Sequence, residues 1–304
     1  MNSPAETNAR AVQRKGFLCG LGAYGFWGVL PIYFKQIPGI PPVDVVAHRV
    51  LWSVPLLLLI LTVTRQLASL RAAFANGRAL QFLSATAVLI AINWLLYIYA
   101  IVNGHILAGS LGYYLNPLAN VLLGRFILKE PLTRLQWAAV ALAAAGIAAL
   151  AVEAIDQLWI SLSLCASFAT YGLLRKLAPV ESAVGLTVET SLLLPLAVGW
   201  LSWQAISGQP VFGETTHDTA FLLVAGLVTS LPLLLFTAAA RALRYSTLGM
   251  LQFLAPTLQF LIAVWIYGEA FTTAHAIAFG AIWIALAIYV SQLLRQSERS
   301  PSEA

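Results

Sequence analysis

Apolar runs of membrane-helix length dominate this chain. About 20 largely apolar residues suffice for a helix to cross the hydrocarbon core. Windows free of Asp, Glu, Lys and Arg cover residues 16–34, 79–124, 135–152, 157–174, 219–240, 245–268 and 274–294. Two more, 43–64 and 182–203, are interrupted only by Asp44 and Arg49 in the first and by Glu189 in the second. The window 79–124 is too long for one helix and right for two, with Asn103-Gly104-His105 as the turn between them. The pattern predicts ten spans.

The cations test that count, because cytoplasmic loops of membrane proteins carry an excess of Lys and Arg. With the N-terminus inside, ten spans place Arg10, Arg14, Lys15, Arg65, Arg71, Arg78, Arg125, Lys129, Arg134, Arg175, Lys176, Arg241, Arg244, Arg295 and Arg299 on one side. Only Lys35 falls on the other side, and Arg49 lies within the second span. One span more or fewer would scramble this separation, so both termini are expected in the cytoplasm. The first span reads as a retained anchor: its apolar run is longer than that of a cleaved signal, and Tyr24, Trp27, Pro31 and Tyr33 stand where small residues would be needed.

Composition agrees. Apolar residues make up 60% and charged residues 10% of the 304, too few charges for a water-facing surface. This excludes a soluble enzyme, a disordered chain and a secreted disulfide scaffold. The net charge of +5 belongs to the inner loops. It is a topology device that can touch anionic lipid, not a sign of nucleic acid. Cys19 and Cys165 sit in separate apolar stretches and read as small buried hydrophobes, neither disulfide nor metal ligands. Residues 295–304 (RQSERSPSEA) read as a disordered tail.

The chain also repeats itself. Pro117 and Glu130 recur as Pro256 and Glu269 at an offset of 139, with Asn120 falling on Gln259. Pro55 recurs as Pro195 at 140, and there Arg49 falls on Glu189. A repeat of five spans is odd-numbered, so the halves, 1–153 and 154–294, are expected to be inverted relative to each other. Inverted repeats are an architecture of secondary transporters, with the substrate near the midplane between the halves.

HRVLWS (48–53), NWLLYIYA (93–100), AGSLGYYLNPL (108–118, where Gly109 is an insertion), ETSLLLP (189–195) and STLGMLQFLAPT (246–257) carry a family resemblance. The chain resembles the RarD, or chloramphenicol-sensitivity, branch of the EamA-type drug/metabolite transporters over roughly residues 12–295. The resemblance implies ten helices in two inverted EamA repeats, a bacterial inner membrane, a central cavity, and export of small metabolites or drugs.

Ionisable groups within a membrane are costly and mark function by default. Arg49 lies about 9 Å into its span and Glu189 about 10 Å into its own, at 1.5 Å per residue. A direct pair, opposite ends of one cavity and separate structural roles are all open to them. Glu189 and His48 are candidate carriers of a coupling proton. Asn93, Trp94 and Tyr97 in span 3, Tyr113 and Asn116 in span 4, and Gln252 and Gln259 in span 9 are candidates to line a polar, aromatic-walled cavity, with Asn120 beside them. Tyr24, Trp27 and Tyr171 are candidates to complete its walls. Interhelical hydrogen bonding is the plain alternative for each polar residue. Pro117 and Pro256 are expected to kink spans 4 and 9. Gly22, Gly25 and Gly28 are expected to let a neighbouring helix approach span 1. Trp159, Trp200 and Trp203 read as interface belts.

No Gly-x-Ser-x-Gly, His-Glu-x-x-His or phosphate loop occurs, and the His residues are scattered at 48, 105, 217 and 275. The expectation is therefore a transporter without catalytic residues, metal or cofactor. Its partners would be a small-molecule substrate and lipid, with oligomeric state open. A channel or a non-transporting sensor of the same fold is the alternative.

Overall fold

A computed structural model describes residues 4–103, 105–151, 155–156, 158–268 and 273–299. Among these the chain forms twelve helices and no strand: α1 (Pro4–Phe34), α2 (Pro42–Val63), α3 (Leu67–Ala75), α4 (Gly77–Val102), α5 (Ile106–Phe126), α6 (Arg134–Ala151), α7 (Leu158–Leu177), α8 (Ser182–Ile206), α9 (Thr216–Ala242), α10 (Tyr245–Gln252), α11 (Leu254–Trp265) and α12 (Thr273–Arg299). Seven stretches of the described residues are helical, long and apolar enough to cross a membrane: Ala11–Phe34, Pro42–Val63, Gly77–Ala100, Leu158–Leu177, Ser182–Ile206, Thr216–Ala242 and Tyr245–Trp265. Arg134–Ala148 and Ala276–Gln292 are shorter apolar helices. The protein is an all-helical, multi-pass membrane protein.

Helix boundaries follow the apolar windows, with four differences. Helix α1 opens at Pro4, ahead of its window at 16. The loop after α2 contains α3, which the apolar pattern does not predict; its Leu70 and Ala73 pack with Val184 and Val188 of α8. The ninth predicted span is split at Phe253 between α10 and α11. Pro256 has no N–H to donate to the Gln252 carbonyl one turn back, so the ladder fails there. Around Pro117, by contrast, α5 is continuous. Finally, α12 continues through Arg299, so its backbone is helical into 295–304, the segment expected to be disordered; residues 300–304 lie outside the described residues.

The helices form two compact units. The first comprises Met1–Tyr99 and Thr170–Leu243, the second Ala100–Ala169 and Arg244–Ala304. Each draws on both sequence halves; the expected junction at 153/154 falls outside the described residues. In the first unit α2 packs on both α8 and α9, and α1 on α9. Gly226 of α9 lies directly against the backbone of Trp52 and Ser53. With lipid as solvent, such close approach supplies the dispersion contacts that hold helices together. On α1 only part of the glycine stripe does this: Gly22 is set against Leu235, while Gly25 faces open space. In the second unit α5 packs on α10 and α6 on α12. Gly249 closes on the Pro117 carbonyl, and Gly146 on Ala278 and Ala281. The core there gathers Leu111, Val121, Ala143, Ile147, Phe253, Ile282 and Tyr289.

Candidate functional site

Glu189 is the centre of the first unit's polar interior. It is 1% exposed on α8. Its Oε1 accepts a short hydrogen bond from the Thr86 hydroxyl of α4, and its Oε2 accepts from the Tyr171 hydroxyl of α7 at 3.3 Å. Its ionic partner is Arg175, with Nε 3.5 Å from Oε1 and no exposure at all. The Arg175 Nη2 donates to the Ser182 carbonyl (3.0 Å), while Nε and Nη1 have no hydrogen-bond acceptor. A buried carboxylate and guanidinium hold each other's charge in a medium that would otherwise penalise both.

Glu189 thus pairs with Arg175, not with Arg49. The partner follows from hairpin register. Helices α7 and α8 are antiparallel neighbours in sequence joined by residues 178–181, which sets Tyr171 opposite Glu189 and Arg175 opposite Gly185. Side chains on a helix lean toward its N-terminus, so Arg175 reaches back over Gly185 toward Glu189. Counting Arg175 among the loop cations hid this; the same register, applied to the sequence, finds it. The neighbouring cations have other work. Lys176 Nζ donates to the Ala240 carbonyl (2.8 Å), and Arg241 to the carbonyls of Ala178 (2.8 Å) and Val180.

Arg49 is half-buried on α2. Its Nε donates to Thr229 Oγ1 of α9 (2.7 Å), and that hydroxyl donates to the Ala225 carbonyl (2.8 Å). Its guanidinium carbon lies 4.9 Å from the centroid of Trp94 on α4, a cation–π distance. Tyr97 lies one turn from Asn93 on α4, and Asn93 is buried.

His48 is fully buried and both ring nitrogens are used. Nε2 bonds the Val211 carbonyl (2.7 Å), and Nδ1 accepts from Trp52 Nε1 (3.2 Å). Those partners fit a neutral ring with its proton on Nε2. Phe212 packs on the same ring, with centroids 5.0 Å apart, so His48 fastens the loop before α9 onto α2. One turn earlier, buried Asp44 accepts from Trp200 Nε1 and Gln204 Nε2, both at 2.8 Å. Trp200, expected in an interface belt, is therefore a hydrogen-bond partner within the protein; Trp159 and Trp203 are exposed.

The aromatic candidates Tyr24, Trp27 and Tyr171 meet around Phe236 of α9. Tyr171 stacks on it (6.3 Å, 13°), Tyr24 approaches edge-on (6.2 Å, 72°) and Trp27 is tilted at 5.6 Å. Tyr171 belongs both to this cluster and to the Glu189 network.

The remaining candidates lie in the second unit. Asn120 Nδ2 donates to Gln252 Oε1 (2.7 Å), tying α5 to α10. Asn116, one turn earlier, is 0% exposed, and neither its Nδ2 nor its Oδ1 has a partner. Tyr113 and Gln259 are half-buried. Glu130, which in the sequence stands out only as part of the repeat, accepts from the backbone N–H of Tyr245 (2.6 Å) and Ser246 (2.9 Å) and from the Ser246 hydroxyl (2.6 Å), capping α10. No cluster of three or more metal-ligating side chains occurs among the described residues.

Comparison with known proteins places this architecture. The pattern of the EamA-like transporter family matches residues 14–152. Protein RarD of Escherichia coli K12 is 42% identical over 295 residues, covering 94% of this chain and 97% of its own. The chain belongs to the RarD branch of the EamA transporters. An uncharacterized transporter of Pseudomonas aeruginosa is 44% identical over 295 residues, covering 96% of this chain and 99% of its own. A crystal structure with 19% identity superposes with a TM-score of 0.66, covering 91% of this chain and 97% of its own, and shares the fold. As in any EamA protein, the function to be explained is movement of a small molecule through a membrane.

Proposed function

We propose that this protein is a secondary transporter of a bacterial inner membrane. It exports small metabolites or drugs, amphenicol-like or amino-acid-like, by alternating access. In this reading all ten predicted spans cross the membrane, both termini are cytoplasmic, and the halves are inverted repeats. One observation carries the reading. Arg49 and Glu189 are 140 positions apart, and each meets a Thr on the next long apolar helix after its partner span: Arg49 meets Thr229 of α9, and Glu189 meets Thr86 of α4, positions 143 apart. The two polar pairs exchange roles under the repeat, which supports a two-fold relation between the halves; the odd number of spans per half makes that relation an inversion in this reading. The packing pairs α2 with α8, α5 with α10 and α6 with α12 support it too, since each joins a helix to its own repeat counterpart.

Two near-equal halves facing opposite ways have two near-equal packings, one open to each side. The cargo site is assigned to Tyr24, Trp27, Arg49, Asn93, Trp94, Tyr97, Tyr171 and Glu189 of the first unit. Rocking about Pro117 and Pro256 exposes it alternately. Glu189 is the proton carrier, in preference to His48, whose ring nitrogens are both committed.

Reconstituted protein in liposomes, given a panel of amino acids, nucleosides and amphenicols, tests this. A saturable flux of at least one of them is expected, falling tenfold or more in Arg49→Ala and in Glu189→Gln. Unchanged flux in both variants, or single-channel current, overturns the reading. Flux indifferent to a proton gradient removes the proton role of Glu189.

A further inference from the structure

We propose that Glu189, Tyr171, Thr86 and the adjoining aromatic cluster form a binding site for an organic cation, an ammonium or guanidinium group, and that Arg175 fills it as the chain's own stand-in. The proposal rests on the transporter reading and names the chemical class of its cargo.

The first support is the poor fit of the ion pair. Arginine binds carboxylates best through two parallel, short hydrogen bonds. Here Nε stands at 3.5 Å from Oε1, beyond hydrogen-bond range, and Nε and Nη1 are buried without acceptors. A guanidinium kept only for stability would be better satisfied. The carboxylate, in contrast, is well prepared, since the hydroxyls of Thr86 and Tyr171 fix one oxygen each.

The second support is the surroundings. The Tyr171 ring that bonds Glu189 is stacked on Phe236, and Tyr24 and Trp27 flank Phe236. A carboxylate bonded to the hydroxyl of a tyrosine whose ring belongs to an aromatic cluster offers a negative charge with aromatic surface beside it, the pairing that attracts ammonium and guanidinium groups by charge and by cation–π contact. The third is an exit for Arg175. Gly185 leaves room for its guanidinium on the face of α8, and the Ser182 carbonyl already holds Nη2 one turn nearer the α7–α8 loop. The side chain can withdraw along the helix to that carbonyl. Cargo cation and Arg175 then compete for one carboxylate, so Glu189 keeps a counter-charge whether the site is loaded or empty. Internal competition weakens apparent affinity by the fraction of time the site is free.

Equilibrium binding of benzylammonium and benzylguanidinium to the purified full chain tests this, with benzyl alcohol and benzamide as neutral controls. Both cations are expected to bind wild-type protein, about tenfold or more tightly to Arg175→Gln, and tenfold or more weakly to Glu189→Gln, while the neutral controls stay level. Gly185→Ala displaces the guanidinium without removing either charge. It is expected to tighten cation binding as well, and it answers the question if Arg175→Gln does not fold. Cation affinity unchanged by both Arg175→Gln and Gly185→Ala, retained in Glu189→Gln, or matched by the neutral controls overturns the proposal. Binding needs no flux, so cation binding without transport contradicts only the transporter reading, and transport without cation binding contradicts only this one.

Discussion

Arg175 lies across the α7–α8 hairpin from Gly185, and its guanidinium occupies the space that any side chain at Gly185 would fill: a Cβ there would stand 2.8 Å from Arg175 Cζ. The glycine is thus a positioning residue for the ion pair with Glu189. Gly185→Ala is expected to lower unfolding free energy by about 1–3 kcal/mol, the usual cost of overpacking, and Gly185→Leu by more. Thermal unfolding in detergent measures both; an unchanged midpoint in Gly185→Ala contradicts the assignment.

The pair itself is expected to be strongly coupled. Arg175→Met leaves a buried carboxylate without its counter-charge and is expected to cost about 3–5 kcal/mol. Adding Glu189→Gln keeps one acceptor oxygen for the Thr86 or the Tyr171 hydroxyl, lets its amide N–H donate to the other hydroxyl and removes that charge, so the double variant is expected to recover most of the loss. A double-mutant cycle by denaturant unfolding measures this. Additive losses would show that the two side chains act independently.

Asn116 invites a different substitution. A buried amide with neither atom bonded costs about 1–3 kcal/mol in unmet hydrogen bonding, and Leu has nearly its shape. Asn116→Leu is expected to raise the unfolding midpoint and to reduce transport of whichever panel solute the wild type carries. Loss of both stability and transport would mark Asn116 as structural.

Glu130 is expected to be purely structural. Its carboxylate takes the two backbone N–H groups that open α10, where a helix leaves its donors unsatisfied. Glu130→Ala is expected to cost about 1.5–3 kcal/mol, with Glu130→Gln milder, because the amide oxygen still accepts one bond. Reduced expression and a lowered unfolding midpoint are the measurements; neither change appearing would contradict the capping role.

Much of the helical layout is legible in the sequence because lipid permits so few charges: wherever Asp, Glu, Lys and Arg are missing for about 20 residues, a helix stands. What escapes that reading has local causes. The helix α3 is short and lies among basic residues, so only its packing against α8 reveals it. The break at Phe253 and the unbroken α5 surround equivalent prolines, and the surroundings rather than the proline decide which helix parts. At the site, the single residues Arg49, Glu189 and Tyr171 stand out as polar or aromatic groups within apolar runs. Their partners do not, because Thr86 and Thr229 are unremarkable in composition and Arg175 doubles as a loop cation. His48 beside Arg49 likewise looks titratable in sequence, and only Val211 and Trp52 show that its ring fastens a loop.

The central claim is that the two halves run in opposite directions across the membrane. Gly39, between α1 and α2, and Pro179, between α7 and α8, are both exposed and 140 positions apart, the repeat offset of the helices beside them. With Cys19 and Cys165 replaced by Ala, single cysteines at these two positions can be labelled with a membrane-impermeant maleimide in right-side-out and inverted vesicles. Gly39→Cys is expected to react only from outside and Pro179→Cys only from the cytoplasmic face; labelling of both from the same face would contradict the inverted repeat and the transporter reading built on it.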